Sequence, residues 1–131
     1  MDAVSRHLSE LIDRPAAEVY AFAAEPANLP RWAAGLSGSI EFVDGRWRAD
    51  SPMGAVTVEF APRNDFGVLD HWVTLPTGET NYNPLRVLAA GDGSEVVFTL
   101  RRRAGVGDDD FEADAAAIRA DLATLKKVLE R

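Results

Sequence analysis

His71, Asn83 and Arg102 are the side chains of this sequence best placed to do chemistry together. Each sits in a run of alternating apolar and polar residues, and the spacing between turns sets them side by side on one row of an antiparallel sheet. An imidazole, an amide and a guanidinium converging in apolar surroundings can hold a carbonyl, an enolate or a carboxylate. His71 would then act as general acid or base, with Asn83 and Arg102 stabilising the developing charge. A charge on such a wall is costly unless it is paired. Glu10, on the inward face of the first strand, is the expected partner of Arg102. A second arrangement fits the same residues: Arg102 reaches water at the sheet's end while His71 and Asn83 hydrogen-bond each other.

Other groupings fail on their spacing. His7 and His71 have no metal-ligand pattern with the carboxylates, and the chain has no Cys, so no metal, disulfide or cofactor is expected. Asp108-Asp109-Asp110 reads as charge at a helix N-terminus. Arg101-Arg102-Arg103 reads as a solvated strand end. With a net charge of -7 the chain is not expected to bind nucleic acid or to dock on anionic lipid. Gly91-Asp92-Gly93 lacks the context of a phosphate loop, and the serines and threonines have no adjacent base.

The row is positioned by strands whose turns fix the register. Asp44-Gly45 sets Phe42 opposite Trp47 and Ile40 opposite Ala49. Met53-Gly54 sets Phe60 opposite Trp47 and Val58 opposite Ala49. Asn64-Asp65 sets Leu69 against Phe60 and His71 against Val58. The three-residue loop Pro76-Thr77-Gly78 sets Asn83 opposite His71 and Leu85 opposite Leu69. Asp92-Gly93 sets Leu100 opposite Leu85 and Arg102 opposite Asn83. One inner row is then wholly apolar, from Phe42 through Trp47, Phe60, Leu69 and Leu85 to Leu100. The other runs from Ile40, Ala49 and Val58 to the polar trio. If Pro76–Gly78 were a two-residue turn, Tyr82 and Arg86 would face inward in place of Asn83. Otherwise Tyr82 and Trp72 lie outside.

A long helix covers this face. Phe111, Ala115, Ile118, Leu122, Leu125 and Leu129 recur at steps of four and three, and Asp109 with Glu112 has the spacing of a capping box. Its many alanines leave either close helix–sheet contact or a cavity. Before the sheet, Val4–Ile12 is a strand with Leu8, Glu10 and Ile12 on one face. A short helix begins at Asp13-Arg14-Pro15, a second turn spans Ala27–Trp32, and strands run from Ser37 to Arg103. The 131 residues suit one domain, 1–131, and their 47% hydrophobic content is globular. The N-terminus has no apolar leader and no stretch spans a membrane, so a cytoplasmic protein without membrane insertion is expected.

Two stretches carry a resemblance: Ile12-Asp13-Arg14-Pro15-Ala16-Ala17-Glu18-Val19-Tyr20 and Asn28-Leu29-Pro30-Arg31-Trp32. With the element order, they make nearly the whole chain resemble the START-related helix-grip (SRPBCC) superfamily, which includes polyketide cyclase/dehydrase-like proteins and the birch-pollen-allergen type. Arg14 departs from the usual Ala. The resemblance implies an α+β helix-grip fold, a curved antiparallel sheet of about seven strands wrapped around a long C-terminal helix, with two short helices after the first strand. It also implies a small hydrophobic or aromatic ligand, lipids included, bound between sheet and helix; only some members are enzymes. Trp32 then falls at the pocket mouth. Trp47, Phe60 and Leu85 from the sheet and Ala115 and Ile118 from the helix join Glu10, His71, Asn83 and Arg102 as ligand-facing candidates. Three functions follow: a binding protein, a cyclase or dehydratase using His71, or an interaction module with a filled interior. The oligomeric state, a homodimer included, stays open.

Overall fold

The structure is a computed structural model that describes residues 4–36 and 39–131. The expected strand start at Ser37 lies outside the described residues. β1 (Ser5–Ile12) alternates as its sequence requires, with Leu8 and Ile12 buried and Leu11 exposed. α1 (Ala16–Ala23) begins directly after Pro15, where a missing N–H costs nothing, and buries Val19 and Ala23. The Glu25 carboxylate accepts the Ala27 N–H at 3.3 Å and opens a 3-10 turn, Pro26–Asn28. α2 (Leu29–Trp32) follows and buries Leu29 and Trp32.

Seven further strands complete the β structure: β2 (Ile40–Val43), β3 (Arg46–Ser51), β4 (Gly54–Phe60), β5 (His71–Thr74), β6 (Thr80–Asn83), β7 (Leu85–Ala90) and β8 (Gly93–Arg101). They form two antiparallel sheets rather than one, ordered β1-β8-β7 and β2-β3-β4-β5-β6. The segment before β5 joins them: Val68 bridges Arg86, and the Val87 N–H reaches the Gly67 carbonyl at 2.9 Å. A Cβ on Gly67 would lie 2.2 Å from the Val87 carbonyl oxygen, so only glycine permits this crossing.

Three expected registers are off by two residues. Trp47 faces Val58 rather than Phe60, His71 faces Phe60 rather than Val58, and Leu85 faces Phe98 rather than Leu100. The turns explain this. Pro52-Met53 turns β3 into β4, held by Ser51 Oγ, which accepts the Met53 N–H and donates to the Gly54 carbonyl. Residues 61–70 form a loop in which Asn64 Oδ1 accepts the N–H groups of Phe66 and Val68. Gly91-Asp92 turns β7 into β8. Every slip is even, so each strand keeps its expected face. The Phe42–Trp47 and His71–Asn83 pairings stand as expected, and the Leu75 N–H to Glu79 carbonyl bond closes the three-residue loop. Asn83 therefore points inward, and Trp72 and Tyr82 stack outside at 5.3 Å.

α3 (Asp108–Leu129) crosses the inner face and buries Phe111, Ala115, Leu122 and Leu125. The expected capping box is not formed. The helix starts two residues early behind Gly107, with no side-chain cap, and both Glu112 oxygens accept from Arg6 at 2.7 Å. Among the described residues, no helix is long and apolar enough to cross a membrane.

Candidate functional site

A cavity of about 540 Å³ lies between α3 and the inner faces of the strands. Val56 and Val58 of β4, Val73 of β5, Phe98 and Leu100 of β8 and Ile118 of α3 give it apolar walls. Leu85 contributes from β7 and is 1% exposed. Trp32 closes one side, and its indole N–H is buried without a partner. The polar groups cluster at the β5–β6 end, where His71, Asn81 and Asn83 face the cavity.

The neutral ring of His71 is held in one tautomer. Its Nδ1 lies 3.1 Å from the Leu69 carbonyl, which can only accept, so the proton sits on Nδ1 and Nε2 keeps its lone pair. The ring packs on Phe60 at 5.1 Å and meets Phe98 edge-on at 6.3 Å. Burial lowers its pKa below the usual 6.5, against the smaller opposing effects of the Leu69 carbonyl and Asp70. Burial thus favours the neutral imidazole, with a free lone pair on Nε2, beside the Asn83 amide. Its hydrogen bond goes to Leu69 and not, as the second arrangement supposed, to Asn83.

Arg102 also borders the cavity, yet Glu10 is not its partner. The Arg102 N–H binds the Val4 carbonyl at one end of β1, whereas Glu10 pairs with Val96, six residues further along. At the strand rise this separates them by roughly 20 Å. A terminal guanidinium nitrogen of Arg102 instead donates to Asp108 at 2.7 Å, and the guanidinium lies over the Phe111 ring at 4.8 Å. Glu10, Trp47, Phe60 and Ala115 stand outside the cavity wall. Ala115 is fully buried in the core, and Trp47 packs against Phe42 at 5.3 Å. Trp47 and Phe60 border a separate groove of about 690 Å³ with Arg46, Glu59 and Trp72. That groove is larger but floored by polar and charged groups, so the interior cavity is the better candidate.

Three carboxylates of the site escaped the sequence reading, the first of them Glu79, just before β6. Asp114 and Asp121 line the cavity from α3. They flank Ile118 at steps of four and three, a signal present in the sequence but hidden beside the apolar stripe. Asp121 accepts the Ala34 N–H at 3.0 Å, and its burial raises its pKa against that bond. Asp70, 6% exposed, forms a second missed cluster. It accepts from the Leu85 N–H at 3.0 Å, from two Arg86 nitrogens at 2.8 Å and from the Tyr82 hydroxyl at 2.6 Å. The Arg86 hydrogen bonds are the main reason its pKa falls to about 2, with Tyr82 and the Leu85 N–H adding to them against burial. This clasp fixes the backbone immediately before His71. Among the described residues, no group of three or more His, Asp or Glu side chains is arranged to hold a metal ion.

Comparison with known proteins places this geometry. The sequence pattern of a family described as polyketide cyclase / dehydrase and lipid transport matches residues 4–130. A search among curated proteins returns no match. An uncharacterized protein from Bacillus thuringiensis superposes with a TM-score of 0.77 at 16% identity, covering 98% of this chain and 100% of its own. BexL, a di-domain ARO/CYC of the BE-7585A biosynthetic pathway, gives 0.72 at 20% identity over 97% of this chain and 46% of its own. DynU16, a protein of the dynemicin biosynthetic locus, gives 0.73 at 14% identity over 96% and 47%. The chain spans about half the length of these last two. At such identities the superpositions show a shared helix-grip fold.

Proposed function

The chain belongs to the polyketide cyclase / dehydrase and lipid transport family, and from that membership and the chemistry of its cavity we propose that it binds a small hydrophobic or aromatic molecule between the sheet and α3. The observation that carries this is the cavity itself: apolar walls, with a lone-pair acceptor on His71 and an amide on Asn83 at one end. Its volume falls in the range of small-molecule sites, roughly 300–1,000 Å³. An apolar body would bury against Val56, Val58 and Ile118, and a hydroxyl or carbonyl would be oriented by His71 and Asn83. An open interior speaks against a filled interaction module.

A second reading is favoured by one observation. Burial favours the neutral form of His71, the Leu69 carbonyl sets its tautomer, and Nε2 carries the free lone pair that a general base at the α-carbon of a carbonyl compound requires. A cyclase or dehydratase activity would use His71 to take the proton and Asn83 to stabilise the enolate.

Native mass spectrometry of the freshly purified protein, followed by the denatured protein, tests the binding reading. A co-purified small molecule, or a thermal shift with aromatic polyketides, apolar acids or lipids, is the expected result. An apo mass with no shift across that set would overturn it. His71→Ala separates the two readings: retained affinity with lost turnover identifies an enzyme.

A further inference from the structure

Between β6 and the end of β8 the sheet is open. β6 pairs with β5 alone, and the β7–β8 ladder ends at Leu85 and Phe98, followed by one bond from the Thr99 N–H to the Pro84 carbonyl at 3.0 Å. Beyond that bond the strands part. β6 follows β5, while β8 stays with β1 through the Ser5–Arg101 pair and the Arg102 N–H to Val4 carbonyl bond at 2.9 Å. Pro84 accounts for the break. It has no N–H to offer the ladder, and its fixed φ redirects the chain where β6 becomes β7.

The cavity extends into this gap. Neighbouring residues of a strand face opposite sides of a sheet. Yet Asn81, Tyr82 and Asn83, consecutive on β6, all border the same space, together with Arg101 at the end of β8 and Arg102 and Arg103 just past it. This is possible only where strand edges, rather than sheet faces, form the wall. Three consecutive arginines therefore frame the opening. Arg103 reaches Glu79 across it at 3.6 Å. Arg102 gives a terminal nitrogen to Asp108, and its Nε is buried with no partner. Arg101 is exposed and forms no ion pair among the described residues. On a chain of net charge -7 this is a concentration of positive charge. Asp114 and Asp121 line the cavity from the helix side and would repel an anion there, which leaves the arginine edge as its place.

We infer that this gap is the anion-binding end of the cavity, and that the ligand is an amphipathic acid whose apolar body lies inside and whose carboxylate meets Arg101 and Arg102. The inference rests on the reading that the cavity holds a small apolar molecule. Guanidinium and carboxylate match in a two-point geometry that an amide or alcohol cannot reproduce. The sheet break thus supplies a cationic end to a cavity lined elsewhere by apolar side chains, amides and the α3 carboxylates.

Naphthylacetic acid and naphthylacetamide share an apolar body and differ in charge, so calorimetric titration of both tests the inference. The acid is expected to bind about tenfold more tightly at low salt. That advantage is expected to shrink at about 0.3 M salt. Arg101→Gln with Arg102→Gln should bring the acid to the amide's affinity. Arg101→Gln alone, at an exposed residue, should lower the acid's advantage about threefold even if the double variant folds poorly. Equal affinities for acid and amide, or an advantage unmoved by Arg101→Gln, would overturn the anion site and leave the cavity reading standing. No binding of either compound would remove both.

Discussion

The two sheets meet the same helix in different ways. Leu8, Ile12, Val87 and Val96 of the three-stranded sheet are at most 4% exposed, in one core with Ala115 and Leu125 of α3. The five-stranded sheet stands off from α3, and its Val56, Val58, Val73, His71 and Asn83 face a cavity that Leu85, Phe98 and Leu100, at one end of the other sheet, help to wall. The sheets part at Pro84, between β6 and β7. The comparison teaches a division of labour: the closed half anchors the helix, which frees the open half to carry polar groups that a packed core would reject.

Variants on the two sides of α3 give the largest expected contrast. Leu125→Ala, in the closed half, should cost about 3 kcal/mol in urea unfolding. Ile118→Ala, half-buried against the cavity, should cost about 1 kcal/mol, because its side chain already borders empty space. Similar losses at both positions would erase the contrast. Next comes the clasp between the halves. Asp70→Ala leaves the buried Leu85 N–H and the Tyr82 hydroxyl without their acceptor, at an expected cost of about 2 kcal/mol by the same assay, with Arg86 half-exposed and contributing little. A loss no greater than that of a surface substitution would show that Asp70 does not hold the junction.

Much of the fold was legible in the sequence, for a physical reason. Side-chain alternation has period two, so registers that were wrong by two residues at β4, β5 and β8 still put Val58, His71 and Phe98 on the inner face. Leu125 and Phe111 were legible from the helical period. What escaped were interactions that depend on distant partners. Glu112 had the spacing of a cap but binds Arg6, 106 residues away. Glu10 shared a face with the site but lies at the wrong end of β1 for Arg102. Pro84 was the unread signal: a proline inside an apparent central strand argues against a continuous ladder. Asp70 went unread because its partners, Tyr82 on β6 and Arg86 on β7, are brought to it only by the fold. The site was thus readable as a row of residues, and unreadable as a cavity with a gap.

The smallest expected effect concerns pH. His71 has a folded pKa below 6.5 because burial disfavours its charged form. The unfolded chain therefore binds more protons between the two values, so its share of stability is present above 6.5 and is lost as pH falls toward the folded value. His71→Phe should flatten the wild-type decline in that window, in urea unfolding followed from pH 7.5 downward at about half-unit steps. An unchanged slope would mean that His71 is not buried as a neutral base. Asp70, with its pKa near 2 against an ordinary 3.8, acts in a lower window and does not confuse the comparison.

The three tryptophans make the central claim directly measurable. Trp32 lines the cavity, whereas Trp47 and Trp72 border the separate outer groove. Titration of naphthol into labelled protein, followed by the indole N–H signals in a nitrogen–proton correlation spectrum, reports all three at once. The account predicts a saturable shift of the Trp32 signal, accompanied by the Asn81 and Asn83 side-chain amides, with Trp47 and Trp72 unmoved. Saturable shifts at Trp47 and Trp72 with Trp32 unmoved would contradict it and place the binding site in the outer groove.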